Sequence, residues 1–261
     1  MSDVLLDHDG AVATVRLNRP GTSNALDVDL LRTLYDILMQ VHGDSTVRSV
    51  LITGEGQHFC AGGDVGVFAA KGEALPDYLR EATAWLQNCT AALLRIEAPV
   101  IAAVHGYAAG GGGFGLASAC DLVIAAESAH FLLGATRVGM APDAGGTVTL
   151  TRLVGLRKAL DIAFTNPTFT AREALELGLI TRVVADEDLQ EEARRLARSL
   201  AEGPTRALAA TKRLLWEGVG ATVEDRLAEE ARTVSDLSGT ADAREGLAAV
   251  IERRSPRFQG R

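Results

Sequence analysis

The sequence has few cysteines and no long apolar run. Its three cysteines, Cys60, Cys89 and Cys120, are far apart and odd in number. This pattern argues against a disulfide framework or a zinc site and is typical of reduced thiols in a cytosol. No apolar run approaches the ~20 residues of a membrane span, and residues 1–10 have neither the basic start nor the apolar core of a secretory leader. We therefore expect a cytoplasmic protein with no membrane partner and no metal site.

Positive charge is also scarce. The sequence has 26 Lys and Arg against 34 Asp and Glu, which gives a net charge of −8. The aromatic residues, 5% of the chain, are not interleaved with a basic stripe, so a nucleic-acid partner is not expected. Otherwise the composition is ordinary, because 47% of the 261 residues are hydrophobic and 23% are charged. Such a chain can bury a large core, as one domain or as one domain with an appendage.

The stretch 100–121 is the most informative part of the chain. Val100–Val104 is a short apolar run that predicts a buried strand. Phe114, Leu116 and Ala117 indicate the start of a helix that ends near Cys120. Glycines fill most of the space between strand and helix, at 106, 110, 111, 112, 113 and 115. A strand, a glycine turn and a helix start leave unpaired backbone N–H groups above the turn.

Two ligands suit such a turn, a phosphate or a carbonyl oxygen that becomes negative during a reaction. A phosphate loop needs Gly-Lys-Ser/Thr after the glycines, but Phe114-Gly115-Leu116 follow here. The glycines can also be aligned with a dinucleotide fingerprint, but this match has little weight because any glycine-rich string gives it easily. The oxyanion interpretation is therefore the better functional one, and tight packing of a helix on a strand remains its structural alternative.

The rest of the chain alternates strands and helices up to about residue 203. The patterns predict an initial hairpin (4–7 and 11–17), strands at 47–53, 122–125, 130–132 and 180–184, and helices from Asp27, at 76–95, after Gly146 to about Leu153, and at 156–164, 171–177 and 188–201. From Pro204 onward the composition is entirely helical. We therefore expect an α/β core over residues 1–203 and a helical region over 204–261.

Two further turns rich in helix breakers, Ala61–Asp64 and Pro142–Gly146, also precede helices. Asp64 is well suited to cap its helix. Asp143 either caps the following helix or acts as a catalytic carboxylate. His105 follows a strand and is interpreted as a turn residue.

At this point the chain resembles a known family, the crotonase (enoyl-CoA hydratase/isomerase) superfamily. The motifs that carry the resemblance span nearly the whole chain: N-A-L-D at 24–27, F-C-A-G-G-D at 59–64, H-G-Y-A-A-G-G-G at 105–112, A-C-D at 119–121, P-D-A-G-G-T at 142–147, A-x-E-A-L-E-L-G-L-I at 171–180 and S-P-R-F-Q-G at 255–260. The resemblance implies a spiral of repeated ββα units with a C-terminal helical trimerisation region, and therefore a homotrimer or a hexamer built from two trimers.

The resemblance also implies a site for an acyl-CoA thioester, whose oxygen is held between two backbone N–H groups. The first donor is then Gly63. The second donor is Gly111 when counted forward from His105 and Gly112 when counted back from Asp121, because this chain has one glycine more than the usual run. We choose Gly112, since the donor belongs to the helix start. The implied substrate-binding residues are Ala25, Ala61, Asp64, Val65, Gly111 and Phe258. Coenzyme A is part of the substrate, so no separate cofactor is expected.

The chain departs from the family's hydratases at both of their catalytic glutamates. Those positions read Gly115 and Ala135 here, and water addition needs both a base and an acid. Position 135 is also where the aryl-CoA dehalogenases have tryptophan. Asp143 matches the aspartate of the isomerase branch typified by phenylacetyl-CoA isomerases. The sequence therefore predicts an enoyl-CoA isomerase with Asp143 as proton shuttle. The alternatives are a hydratase, a ring-closing acyl-CoA synthase, and a catalytically silent CoA-thioester binding protein.

Overall fold

The computed structural model describes residues 2–260, which form two layers of strands surrounded by helices. The strands are β1 (Val4–Asp9), β2 (Val12–Leu17), β3 (Ser49–Gly54), β4 (Val100–Val104), β5 (Tyr107–Ala109), β6 (Leu122–Ala126), β7 (His130–Leu132), β8 (Phe169–Thr170) and β9 (Arg182–Val184). The helices are α1 (Val28–Gly43), α2 (Val65–Ala70), α3 (Leu75–Arg95), α4 (Gly110–Ala119), α5 (Gly146–Val154), α6 (Leu156–Thr165), α7 (Ala171–Glu176), α8 (Leu189–Ala201), α9 (Thr205–Gly218), α10 (Val223–Ser238) and α11 (Ala241–Glu252).

The large sheet has six strands in the order β1-β2-β3-β4-β6-β9. β1 and β2 form the predicted antiparallel hairpin, and every other pair in this sheet is parallel. β3 and β4 are completely buried, and β4 consists wholly of apolar residues, as expected for central strands covered on both faces. The small sheet has the order β5-β7-β8.

The chain alternates between these layers in a regular way. After β4 it adds β5 to the small sheet and then forms α4, and after β6 it adds β7 and then α5. The turn after β3 follows the same course, because Cys60 forms a parallel bridge with Ala108 of β5 and Gly63 forms one with Leu26. Each turn of the chain is thus a strand of the large sheet, a short extended piece and a helix. This confirms the predicted spiral of ββα units.

The prediction for the start of α4 was wrong by four residues, because the helix begins at Gly110 and not at Phe114. Glycine is a poor helix former, but close packing requires it here. A Cβ on Gly112 would lie 2.4 Å from Cδ1 of Leu26, and one on Gly113 would lie 2.3 Å from the carbonyl oxygen of Cys60. Tight packing, the structural alternative for this stretch, is therefore present.

The first of the C-terminal helices, α9, is joined to the core by partly buried polar contacts. The Nζ of Lys212 on α9 lies 2.8 Å from Oδ2 of Asp121, and these side chains are only 8% and 16% exposed. Arg48 donates from Nε to Oγ1 of Thr205 at 2.8 Å. The helical region is as expected, whereas a domain boundary at residue 203 stays a prediction. Within residues 2–260, no helix is long and apolar enough to cross a membrane.

Candidate active site

The three turns singled out in the sequence meet at one place in the fold. The N–H of Cys60 donates to the carbonyl of Tyr107 at 3.0 Å, and the N–H of Ala109 donates back to Cys60 at 2.9 Å. These bonds hold the turn after β3 against the start of α4. The third turn reaches the same point, because a Cβ on Gly111 would lie 1.7 Å from Oδ1 of Asp143. The spiral thus brings two backbone turns and one carboxyl group together.

In the first turn, hydrogen bonds of the neighbouring residues hold Gly63 in place, and the N–H of Gly63 itself is not used. Leu26 donates its N–H to the carbonyl of Gly62 at 2.7 Å, and Asp64 donates its N–H to the carbonyl of Leu26 at 3.0 Å. Within residues 2–260 the N–H of Gly63 has no hydrogen-bond acceptor. The ring of Phe68 covers Gly63, since a Cβ there would lie 2.5 Å from Cζ of that ring. No residue other than glycine fits at 63 without moving Phe68.

The second turn supplies the N-terminus of α4. The N–H groups of the first helical turn, which belong to Gly110, Gly111 and Gly112, have no carbonyl in a preceding turn to bond. Ideal Cβ positions show which neighbours each of the two glycines packs against. Gly111 faces the carboxyl group of Asp143, whereas Gly112 faces Leu26 and Gly62, the residues adjacent to Gly63. Gly111 therefore packs on the side of Asp143 and Gly112 on the side of the first turn, and the choice of Gly112 as the second donor stays a prediction.

The third turn contributes Asp143, a half-buried carboxyl group. Burial raises the pKa of Asp143 above its usual value, and its own backbone N–H offsets part of that rise. The side chain does not cap α5, whose N-cap is Gly145 and which has no side-chain cap. Instead, the backbone carbonyl of Asp143 accepts from the N–H of Gly146 at 2.8 Å. The helix-cap interpretation of this carboxylate is therefore wrong.

The backbone beside Asp143 is strained. Ala144 has φ +51°, a left-handed conformation that costs a side-chain-bearing residue about 1 kcal/mol. Ala144 is buried, and a Cβ on Gly115 would lie 2.5 Å from its Cβ. Position 115, a glutamate in the family's hydratases, thus adjoins this turn but provides no carboxylate. Ala135, the other such position, begins the 3-10 turn Ala135–Val138.

Asp64 is a helix cap, as its sequence context predicted. Its Oδ1 accepts from the N–H of Val67 at 3.0 Å and so starts α2. Its Oδ2 lies 3.6 Å from the guanidinium of Arg19. Contact between Asp64 and substrate stays a prediction.

The main chain predicted to hold CoA lies beside the first turn. Ala61 donates its N–H to the carbonyl of Ser23 at 3.0 Å, and Ala25 donates to Thr22 at 3.1 Å, so these two N–H groups are already used. Val65 is exposed at the start of α2. Phe258 does not lie beside the first turn. Its ring packs against Gly246 of α11. The role assigned to Phe258 stays a prediction.

Two residues that organise the site were missed by sequence reasoning. Asn24 is completely buried with φ +54°, and its amide nitrogen donates to the carbonyls of His58 at 2.7 Å and Glu55 at 2.9 Å. Arg19 lies between Asp27 and Asp64. Asn24 belongs to a recognised motif, so its importance was visible although its partners were not. Arg19 is an ordinary residue in a polar loop, and its sequence context gives no signal of these contacts.

The chain is similar to known proteins over nearly its whole length. The family model for enoyl-CoA hydratase/isomerase matches residues 7–261. The chain is 40% identical over 250 residues to a Rhodobacter capsulatus protein named "Probable enoyl-CoA hydratase", covering 96% of this chain and 95% of that one. It is 37% identical over 265 residues to the 1,2-epoxyphenylacetyl-CoA isomerase of Escherichia coli, with 100% of both chains covered. The crystal structure of an enoyl-CoA hydratase from Bacillus anthracis matches with a TM-score of 0.93 at 33% identity, over 99% of this chain and 100% of that one.

The spiral fold and these relatives define a crotonase-type enzyme that acts on acyl-CoA thioesters. The chain belongs to the enoyl-CoA hydratase/isomerase family.

Proposed function

We propose that this enzyme shifts a double bond in an enoyl-CoA, with Asp143 as the proton shuttle. The observation that carries the proposal is the position of that carboxyl group, which lies against Gly111 at the start of α4. The two positions that are glutamates in the family's hydratases are Gly115 and Ala135 here. A lone carboxylate can move a proton between two carbons, whereas water addition needs a second group.

In the proposed mechanism, the thioester oxygen accepts hydrogen bonds from the N–H groups of Gly63 and Gly112. The Asp143 carboxylate removes a proton from C2 of a 3-enoyl-CoA, and the electron pair of the broken C–H bond spreads over C2, C4 and the thioester oxygen. Asp143 then returns the same proton to C4, which leaves a 2-enoyl-CoA and a regenerated carboxylate. Preorganised donors stabilise the negative oxygen, and losing one costs about 3 kcal/mol in the barrier.

The raised pKa of Asp143 suits a group that accepts and then donates one proton. A carboxylate of higher pKa is a stronger base, and its protonated form persists long enough to return the proton. The cause of the rise is burial, so the same packing that places the carboxyl group also raises its basicity. The reaction consumes no further reagent, and we expect no cofactor beyond the coenzyme A of the substrate.

The enzyme is further proposed to be a homotrimer or a hexamer of two trimers. Apolar side chains remain exposed on several helices, among them the following residues of α6 and α11: Leu156, Leu160, Phe164, Leu247, Val250 and Ile251. Exposed apolar patches of this kind mark association surfaces. Sedimentation equilibrium of the purified protein should give a mass of three or six chains, and a strict monomer would contradict the proposal.

A spectrophotometric assay tests the reaction. Isomerisation of a 3-enoyl-CoA creates a conjugated thioester and raises its ultraviolet absorbance, whereas hydration of a 2-enoyl-CoA lowers it. We expect turnover of 3-enoyl-CoA that is lost in Asp143→Asn and kept in Asp161→Asn, a matched change of an exposed carboxylate paired with Lys158. Rapid hydration of short 2-enoyl-CoAs without isomerisation would instead support a hydratase, the activity named for the Rhodobacter relative. Binding of aliphatic and aromatic acyl-CoAs without any turnover would support a silent binding protein.

A further inference from the structure

We infer that Arg19 is a positioning residue for the Gly63 donor, acting through the ion pairs that its guanidinium makes with Asp27 and Asp64. The inference rests on the proposed function, because it concerns the donor that the proposed mechanism uses. Arg19 itself lies outside the turn that contains Gly63, in the loop that follows β2.

The first step in the argument is the contact set of the guanidinium. Its Nη1 forms an ion pair with Oδ2 of Asp27 and donates to the carbonyl of Ala25 at 3.3 Å. Its Nη2 lies 3.6 Å from Oδ2 of Asp64. The three charged side chains are 15–19% exposed, so solvent screens them less than it screens surface pairs. One planar cation therefore joins two chain segments that are 37 positions apart.

Those segments are the two that hold Gly63. Leu26, which follows Ala25, makes both backbone hydrogen bonds that flank Gly63, one with Gly62 and one with Asp64. These two flanking bonds fix the peptide planes on either side of Gly63 and therefore help to set the direction of its N–H. A shift between the two segments would therefore rotate or displace the donor.

Both carboxylates also start helices with their second oxygen. Oδ1 of Asp27 accepts from the N–H of Leu30 at 2.9 Å and starts α1. Oδ1 of Asp64 accepts from the N–H of Val67 and starts α2. The guanidinium thus fixes two helix starts relative to each other, with Gly63 immediately before one of them. Arginine suits this position because its planar fork can contact two carboxylates, which the point charge of lysine cannot do equally well.

The variants separate this role from folding in general. Arg19→Gln removes the charge and Arg19→Lys keeps it without the fork. Asp64→Asn removes the pair with Arg19 but keeps a good helix cap, since asparagine caps as well as aspartate. The control is Arg32→Gln, which breaks the exposed pair between Arg32 and Glu81. Melting curves establish that each variant is folded before it is assayed.

The first measurement needs no turnover. Butanoyl-CoA labelled with ¹³C at the carbonyl is saturated and serves as a non-reacting probe, whose C=O stretch is followed by difference infrared spectroscopy. Hydrogen bonds from the oxyanion donors lower this frequency in the wild-type complex. We expect Arg19→Gln and Asp64→Asn to lose about half of the lowering or more, Arg19→Lys to lose less, and Arg32→Gln to lose none.

The second measurement is the isomerase rate. Arg19→Gln and Asp64→Asn should each lower kcat about tenfold with a smaller change in KM, and the double variant should be little worse than either single one, because both act on one ion pair. Folded Arg19 variants that keep the wild-type frequency and kcat would overturn the inference alone. Weaker binding with an unchanged frequency would also overturn it. A wild-type complex without any lowering would overturn the donor assignment and this inference together.

Discussion

Replacing Gly111 by alanine tests the placement of Asp143 without substituting Asp143 itself. A Cβ at position 111 would lie 1.7 Å from Oδ1 of Asp143, whereas nonbonded heavy atoms are in optimal contact at roughly 3.5 Å. The carboxyl group would therefore have to retreat by more than about 1 Å. The backbone of Gly111 is not left-handed, so its conformation is compatible with alanine. Alanine also has a helix propensity about 1 kcal/mol more favourable than that of glycine.

The expected result of Gly111→Ala is a loss of turnover with the fold intact. Misplacing a catalytic group by about 1 Å can cost ~100-fold in rate, and we expect a fall of that order in kcat for 3-enoyl-CoA. The N–H groups of α4 remain, so the affinity for a saturated acyl-CoA should change much less. The control is Gly43→Ala at the end of α1, where the new Cβ has no heavy atom of residues 2–260 within 4 Å beyond its immediate neighbours.

A double variant sharpens this test. If Gly111→Ala acts by moving the carboxyl group, adding it to Asp143→Asn should lower kcat little further, because the base is already absent. Multiplied losses would mean that the alanine disturbs something else, such as the N–H donors. A Gly111→Ala enzyme that isomerises at close to the wild-type rate would refute the assignment of Asp143 as the base in its observed position.

Three further predictions follow from the same structure. Asp143→Asn should lower kcat at least ~100-fold. The melting temperature of this variant at neutral pH should equal or exceed that of the wild type. The reason is that a carboxyl group whose pKa is raised in the fold contributes stability at low pH, and this stability is lost as pH rises through that pKa. In the wild type, kcat/KM should rise with pH through the raised pKa of Asp143 and then level off, since the base must be ionised; a rate that falls over this range would assign the ionisation elsewhere. Lys212→Met should lower the free energy of unfolding by about 3 kcal/mol in urea titrations, because it leaves the carboxylate of Asp121 without its buried partner, and a change below 1 kcal/mol would show that the pair contributes little.

The sequence predicted best those elements whose apolar pattern is long or continuous. β4 has the predicted bounds, and α3 begins one residue before its predicted start at Pro76. The short strands β5 and β8 were missed because two or three residues carry no recognisable period. Both are held by pairing with other pieces of the spiral, β5 with β7 and Cys60 and β8 with β7.

The candidate site was predictable where it depends on backbone shape and not where it depends on side-chain contacts across the fold. Gly63, Gly112 and Asp143 stand in turns whose motifs are visible in the sequence, and the structure brings these turns together. The contact between Gly111 and Asp143 joins residues 32 positions apart, and no local pattern encodes it. The same is true of Arg19, whose partners are set by the way two loops pack.

The parallel course of the spiral also limits when the site can exist during synthesis of the chain. Gly63 belongs to the turn that follows β3, Gly112 to the start of α4 after β5, and Asp143 to the turn that follows β7. Since domains emerge from the ribosome N-terminus first, a nascent chain that ends before Asp143 contains both backbone turns but lacks the carboxyl group. The carboxyl group is therefore the last of the three parts of the candidate site to be synthesised.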